Sequence, residues 1–255
     1  MTVSQTITWL GHGSWRMITP RGTVIYLDPW IRGNPACPIT LDEITRADLV
    51  CVTHGHSDHL GNAIELVKST GATLVTLPEV AAYCSNYGIP YDDHGGCVHT
   101  GGSITQRDVL IHAVYALHAS DIMGVEYAEE NRLMPGSGAC GMILAPEGGM
   151  PVYFAGDTGL FGDMELIGKL YQPAVSVLPV GGKYTMGVRE AAYAAELLRS
   201  PILIPGHYNT FPSQSADIEQ LVQQVAVRAP QTRVVTLKPG ESFDLAPFAN
   251  SAREY

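Results

Sequence analysis

Residues 49–61 read LVCVTHGHSDHLG, an apolar run that ends in three histidines and an aspartate within six positions. Leu49 to Thr53 has the continuous apolar character of a strand covered on both faces. Beyond the cluster, Leu60, Ala63, Ile64, Leu66 and Val67 keep helical spacing as far as Gly71, so the histidines stand where a strand gives way to a helix. One residue separates His54 from His56, which lets both rings face the same side of an extended or tightly turned segment and hold one cation together. Asp58 and His59 offer a hard oxygen and an imidazole at the mouth of the helix, suited to a second cation nearby. Gly55 leaves the backbone free to bend, and Ser57 is placed to cap the helix. A lone strand-end histidine is ordinarily a satisfied structural residue, but four donors crowded beside a buried strand are costly to desolvate without a cation.

Four donors cannot complete two coordination spheres, so other strand ends must supply the remainder. His118 ends the run Val109 to Leu117, Asp157 ends VYFAGD after Gly156, and His207 follows Ile202 to Ile204 and Pro205-Gly206. Each has an apolar strand before it and a flexible segment beside it, the usual setting of functional groups on a rigid scaffold. A carboxylate can bind two cations at once, and Asp157 is the natural bridge. Asp28 ends VIYLD before Pro29, where its carboxylate could orient a ligating histidine through the free ring N–H or simply serve the turn. His12, in LGHGS after the first strand, takes a rim position suited to supporting a ligand or touching substrate. Lys183 in GGKYT and Asn209 in HYNT follow strands and could line a substrate mouth, with Lys183 available to an anionic group. His112 lies about 20 Å along the strand from His118 and reads as structural. His94 and His99 sit in a glycine-rich turn and read as solvated.

Strand-like runs at Thr6–Leu10, Thr23–Leu27, Thr73–Leu77, Cys140–Leu144, Val152–Ala155, Ala174–Leu178 and Arg233–Leu237 are joined by helical spacing at Glu79–Tyr87, Met164–Leu170, Arg189–Leu198 and Ile218–Arg228. Strands dominate the first half, and helices alternate with strands in the second. Residues 119–139 read as one long loop, of the kind that forms lids or binding loops. No linker rich in Pro, Gly or Ser divides the chain, so residues 1–245 are expected to form one domain and 246–255 a tail. A chain of 255 residues with 45% hydrophobic content supports a sizeable core. No run approaches the roughly 18 apolar residues needed to cross a bilayer, and the N-terminus lacks the basic start of a secretory signal; a cytoplasmic location and no membrane partner are expected. The formal net charge of −10 repels a polyanion, which argues against nucleic acid and for a small-molecule substrate. A homo-oligomer is left open. The five cysteines are scattered and form no CxxC pair, which excludes a disulfide framework and a thiolate zinc knuckle.

Taken together, THGHSDHLG, His118, the AGDT around Asp157 and the PGHYNTFP around His207 resemble the metallo-β-lactamase superfamily, whose HxHxDH motif falls on His54, His56, Asp58 and His59. LGHGS, LDPW, IRGNP, AGDTGLFGDM, TMG and LKPGE look closer still to a branch of small metal-dependent hydrolases related to the ascorbate-6-phosphate lactonases. The resemblance implies an α/β fold, an αββα sandwich of two mixed sheets flanked by helices, with metals at one edge. It implies one site of His54, His56 and His118, a second of Asp58, His59 and His207, and Asp157 bridging them. The cofactors would be two divalent metal ions; zinc suits the mixed imidazole and carboxylate set, and manganese or iron suits the second site nearly as well. Such a pair would share a water and lower its pKa toward neutrality, so that a bridging hydroxide cleaves a small ester, lactone or phosphoester without a serine or cysteine nucleophile. Asp58 and His12 carry the catalytic roles in this reading. The alternatives are a phosphodiesterase or nuclease on the same site, or an iron-dependent sulfur oxidoreductase. Di-iron members usually place glutamate where His56 stands, which favours hydrolysis.

Overall fold

The computed structural model describes residues 3–91 and 96–248. His94 and most of the expected tail, residues 249–255, lie outside the described residues. In chain order the strands and helices are β1 (Thr6–Trp9), β2 (Trp15–Ile18), β3 (Val24–Leu27), β4 (Leu49–Val52), α1 (Ser57–Leu60), α2 (Ala63–Thr70), β5 (Thr73–Thr76), α3 (Pro78–Ser85), β6 (Ser103–Gln106) and β7 (Val109–Tyr115). There follow α4 (Val125–Glu130), β8 (Cys140–Pro146), β9 (Val152–Phe154), α5 (Met164–Tyr171), β10 (Val175–Pro179), α6 (Val188–Leu198), β11 (Ile202–Gly206), α7 (Ile218–Arg228), β12 (Arg233–Val234) and β13 (Ser242–Asp244).

Two mixed sheets carry the fold. One runs β13-β1-β2-β3-β4-β5 and the other β12-β11-β10-β9-β8-β7-β6. Within the first, β3, β4 and β5 are parallel; within the second, β9, β10, β11 and β12 are parallel. The reason for the sandwich is written in β4. Its four residues are all buried, but Leu49 and Cys51 join a core shared with Val109, Ile111, Met142, Val152 and Ile202 of the other sheet. Val50 and Val52 point the opposite way, into a second core with Leu60, Leu66 and Val67 from α1 and α2 and Val80 and Cys84 from α3. Period-2 alternation thus splits one apolar run between an inter-sheet core and a sheet-to-helix core. On the far side α6 packs on β10 and α7 on β12, completing the αββα layers. Among the described residues no helix is long and apolar enough to cross a membrane.

Several local expectations change. Strands β2, β6 and β13 add to those read from the sequence, and β12 is two residues long rather than five, although the Val235 N–H still donates to Leu203 O at 2.8 Å. His56, in extended conformation, is the N-cap of α1 in place of Ser57, and no side chain caps that helix. Residues 119–139 are not a plain loop, for they contain α4, and the first half of this segment is tied down. The Ser120 hydroxyl accepts from Gly55 N at 3.0 Å, and Met123 N donates to Gly55 O at 2.7 Å. Glu126 accepts hydroxyl hydrogen bonds from Tyr83 at 2.6 Å and Tyr87 at 2.8 Å. The segment therefore braces the histidine loop against α3. At the other end of the chain, Ala246–Phe248 form a 3-10 turn whose Phe248 ring lies 5.5 Å from that of Phe243.

The carboxyl ends of the parallel strands all open on one edge. Asp28 follows β3, Thr53 and His54 follow β4, Asp157 stands three residues beyond β9, and His207 follows β11 directly. Open α/β sheets generally bind their ligands at this end.

Candidate metal centre

Seven donors converge at that edge. His54 Nε2 lies 3.0 Å from His56 Nδ1, which lies 3.3 Å from His118 Nε2, which in turn lies 3.7 Å from Asp157 Oδ2. The other oxygen of Asp157, Oδ1, is 3.2 Å from His59 Nε2 and 3.3 Å from His207 Nε2. Asp58 Oδ2 completes the array at 3.5 Å from His207 Nε2 and 3.9 Å from His59 Nε2. Ligands at zinc-like bond lengths around one tetrahedral ion stand about 3.4 Å apart, so these spacings suit cations. The donors resolve into a group of His54, His56, His118 and Asp157, a group of His59, Asp157 and His207, and a group of His12, Asp58 and His207. Asp157 thus faces two groups with one oxygen each. The expected second set of Asp58, His59 and His207 is met with a difference: Asp58 is drawn toward His12.

The polar atoms that face one another have no partners of their own. His59 Nε2, Asp157 Oδ1 and His207 Nε2 are fully buried and make no hydrogen bond. Buried unpaired groups of this kind are rare and costly, and three aimed at one point fit a bound cation.

The electrostatics point the same way. Burial opposes charge on Asp157, yet His207 and His59 hold its carboxyl well below the usual range. Burial likewise opposes charge on Asp58, and His59, the 3.0 Å contact with His12 and the nearby His207 overcome it. Burial alone would push His59 down, but Asp157, Asp28 and Asp58 raise it well above its ordinary value. Burial, reinforced by His59, keeps His54 well below its ordinary value, and burial is also the leading cause of the lowered His56, His118 and His12. Neutral imidazoles beside ionised carboxylates are the protonation states that metal ligation needs.

Supporting residues set the ring orientations. The Asp28 carboxylate is 2.8 Å from His59 Nδ1 and accepts from Thr53 N and Thr53 Oγ1, both at 2.7 Å. Thr53 Oγ1 is also 3.0 Å from His54 Nδ1. One buried carboxylate therefore fixes the tautomers of two histidines, His59 directly and His54 through a hydroxyl, leaving each Nε2 free to face the centre. Gly156 permits the close approach of this layer to Asp157: it has φ +59°, and a Cβ there would lie 2.8 Å from Thr53 Oγ1. Asp28, His12 and His207 themselves adopt left-handed φ values of 47°, 53° and 54°. Backbone strain in non-glycine residues gathers at functional sites.

Not every expected residue reaches the centre. Lys183 is exposed with its ammonium 4.8 Å over the Tyr184 ring, outside the donor groups. Asn209 is also exposed; its Oδ1 accepts from Ala216 N at 3.0 Å and so closes a loop. His12 is not on the rim but fully buried, with Nε2 3.0 Å from Asp58 Oδ2 and Nδ1 2.9 Å from Thr210 Oγ1. His112 lies 4.7 Å from the Tyr171 ring and His99 is exposed, both away from the cluster. The contacts of Thr53 with Asp28 and His54 and of Thr210 with His12 were not visible in the sequence; a threonine just before or three residues after a candidate ligand histidine carries no distinctive signal. The open side of the site is marked by Asp58 and His118, whose side chains are 28% and 13% exposed against 4% or less for Asp157, His207 and His59.

Comparison with known proteins adds a family context. Residues 6–207 match the model of the beta-lactamase superfamily domain. A UPF0173 metal-dependent hydrolase of Methanopyrus kandleri is 42% identical over 238 residues, covering 93% of this chain and 99% of that protein. One from Koribacter versatilis is 38% identical over 240 residues, covering 93% and 97%. Among solved structures, Igni18, a metallo hydrolase from the archaeon Ignicoccus hospitalis, superposes with a TM-score of 0.78 at 32% identity, covering 94% of this chain and 98% of that one.

Proposed function

This chain belongs to the beta-lactamase superfamily and, within it, to the UPF0173 metal-dependent hydrolases, and from that premise we propose that it hydrolyses a small ester, lactone or phosphoester at a binuclear centre. The observation that carries the proposal is the convergence of His59 Nε2, Asp157 Oδ1 and His207 Nε2, buried and without partners, beside the His54, His56 and His118 group. In this reading His54, His56 and His118 would hold one cation, Asp58, His59 and His207 would hold the second, and Asp157, with one oxygen toward each group, would serve both. Zinc suits this donor set, with manganese or iron as alternatives for the site richer in carboxylate. When bound, the cations supply an acidified water and an electrophile for the scissile carbonyl or phosphoryl oxygen.

The chain's own residues do the rest. Asp28 and Thr53 keep the protons of His59 and His54 on their outer nitrogens, so the inner ones remain donors. Asp58, ionised and on the open side, orients the attacking water, and His12 holds that carboxylate in place. Substrate enters past Asp58 and His118. The kinship with ascorbate-6-phosphate lactonases, a cytoplasmic setting and a single catalytic domain over residues 1–245 belong to the same proposal and rest on the sequence motifs and composition. A screen of metal-loaded protein against lactones, phosphodiesters, phosphomonoesters, thioesters and β-lactams tests it. The expected result is turnover in one of the first three classes that disappears in His54→Ala; turnover unaffected by that substitution would overturn the proposal.

A further inference from the structure

His12 is not among the seven proposed ligands, yet it touches two of them, Asp58 and His207. It belongs to the turn after β1, in the first sheet, and its side chain reaches residues of distant segments. Its carbonyl accepts from His207 N at 2.9 Å and from Trp9 Nε1 at 2.9 Å. Its ring lies 3.8 Å from the His207 ring, centroid to centroid. Its two nitrogens reach Asp58 Oδ2 at 3.0 Å and Thr210 Oγ1 at 2.9 Å. The Trp30 and Phe211 rings, 5.3 and 5.8 Å away and both edge-on to it, close over the imidazole. The residue is fully buried and held at a left-handed φ of 53°. A histidine buried in a strained backbone conformation and bonded at both nitrogens has a definite orientation to maintain.

What that orientation governs is Asp58. The Oδ2 atom of Asp58 is 3.0 Å from His12, closer than the 3.5 Å to His207 or the 3.9 Å to His59. The Asp58 side chain is 28% exposed, against 13% for His118 and 4% or less for Asp157, His207 and His59, and so has fewer packing constraints than those four. We propose that His12 is the positioning residue for Asp58: the Thr210 hydroxyl donates to Nδ1, the ring proton therefore sits on Nε2, and Nε2–H holds the Asp58 carboxylate at the second cation seat. Thr210 lies three residues beyond His207 on the same segment, so one turn supplies both a ligand to the second cation and the anchor of the residue that aims another. The inference rests on the binuclear reading above and concerns only its second seat.

The test measures cation binding rather than turnover. Wild type, His12→Phe, His12→Gln and Thr210→Val are stripped with chelator, titrated with zinc against a chromophoric competitor, and loaded with cobalt for absorption spectra; thermal unfolding of the metal-free forms checks folding. Wild type binds two cations. His12→Phe keeps the first at wild-type affinity and binds the second about 10–100-fold more weakly, the usual cost of removing a partner that orients a ligand. Glutamine places an amide N–H roughly where Nε2–H stood and recovers part of the loss, and Thr210→Val falls between wild type and His12→Phe. A general structural defect would weaken both cations and would not be rescued by glutamine. Should His12→Phe fail to fold, the glutamine and Thr210 variants still report on the second cation. Second-cation affinity within twofold of wild type in His12→Phe, or in Thr210→Val if the former does not fold, overturns the inference. So does a cobalt spectrum showing one nitrogen ligand fewer in His12→Phe, which would make His12 a ligand itself. If wild type binds fewer than two cations, the binuclear reading fails, and the inference with it.

Discussion

Asp28→Asn changes one buried atom and is expected to weaken the proposed binuclear centre from behind. The Asp28 side chain, 3% exposed, receives the His59 ring at 2.8 Å and two bonds from Thr53 at 2.7 Å. An asparagine can keep its oxygen on Thr53 N, but its amide then faces His59 Nδ1, donor against donor. The clash is relieved only if the ring proton moves to Nε2, and that nitrogen, 3.2 Å from Asp157 Oδ1, would no longer be free to ligate. Hydrogen bonds to charged groups contribute about 1.5–3 kcal/mol. A 10–100-fold loss of cation affinity corresponds to about 1.4–2.7 kcal/mol, the same range reached independently. The effect falls first on the second cation, through His59, and more weakly on the first, through Thr53 and His54. Zinc titration of the stripped protein against a chromophoric chelator measures both, with circular dichroism as the check on folding. Second-cation affinity within twofold of wild type in a folded Asp28→Asn protein would refute the tautomer argument.

Two other perturbations follow from the same geometry. In Gly55→Ala the new Cβ would stand 2.9 Å from Asp121 O and from Ile122 Cα, so backbone must move where the 120–123 segment clasps the histidine loop; a loss of about 1–3 kcal/mol in urea unfolding is expected, and an unchanged midpoint would remove the bracing role. In metal-free protein His12, His54, His56 and His118 have lowered pKa values in the fold, so each takes up its proton more readily when unfolded. Their contribution is present above about pH 6.5 and is lost as pH falls, at up to about 1.4 kcal/mol per pH unit for each group. His59, raised in the fold, has the opposite sign and a different window: its contribution is full below about pH 6.5 and is lost on going up, so it does not cancel the loss of the other four below that pH. Urea midpoints of the chelated protein should therefore fall between pH 7 and pH 5, before Asp58 and Asp157 contribute; a flat profile would show that the four rings are not held neutral.

Much of the centre was legible in the residues because two simple signals coincide there. LVCV is apolar on both faces, as a covered strand requires, and its first polar residues mark the open edge; the sandwich itself was implied by the family resemblance. His118, Asp157 and His207 were legible for the same reason, since each is the first chemically distinctive residue past an apolar strand. Asp28 was visible as a carboxylate at a strand end, although its partner could come only from three dimensions. What stayed hidden depends on contacts between distant segments. His12 reads as a rim residue from LGHGS alone, because its burial comes from Trp30, Phe211 and His207. The helix α4 buries none of its residues, so apolar periodicity could not reveal it; its anchor is a carboxylate shared by two tyrosines of another element. Strand β13 is mostly exposed and owes its existence to pairing with β1, nearly the whole chain away. Lys183 and Asn209 stand past strand ends and are exposed, with contacts to Tyr184 and Ala216.

The central claim is that this edge of the sandwich holds two cations on which hydrolysis depends, and it is tested most directly by elemental analysis of reconstituted protein with turnover followed in parallel. The account predicts two divalent ions per chain, a lower content in His54→Ala, and turnover that disappears on chelation and returns when metal is restored. Turnover that persists at the wild-type rate in protein shown to be free of metal would contradict it.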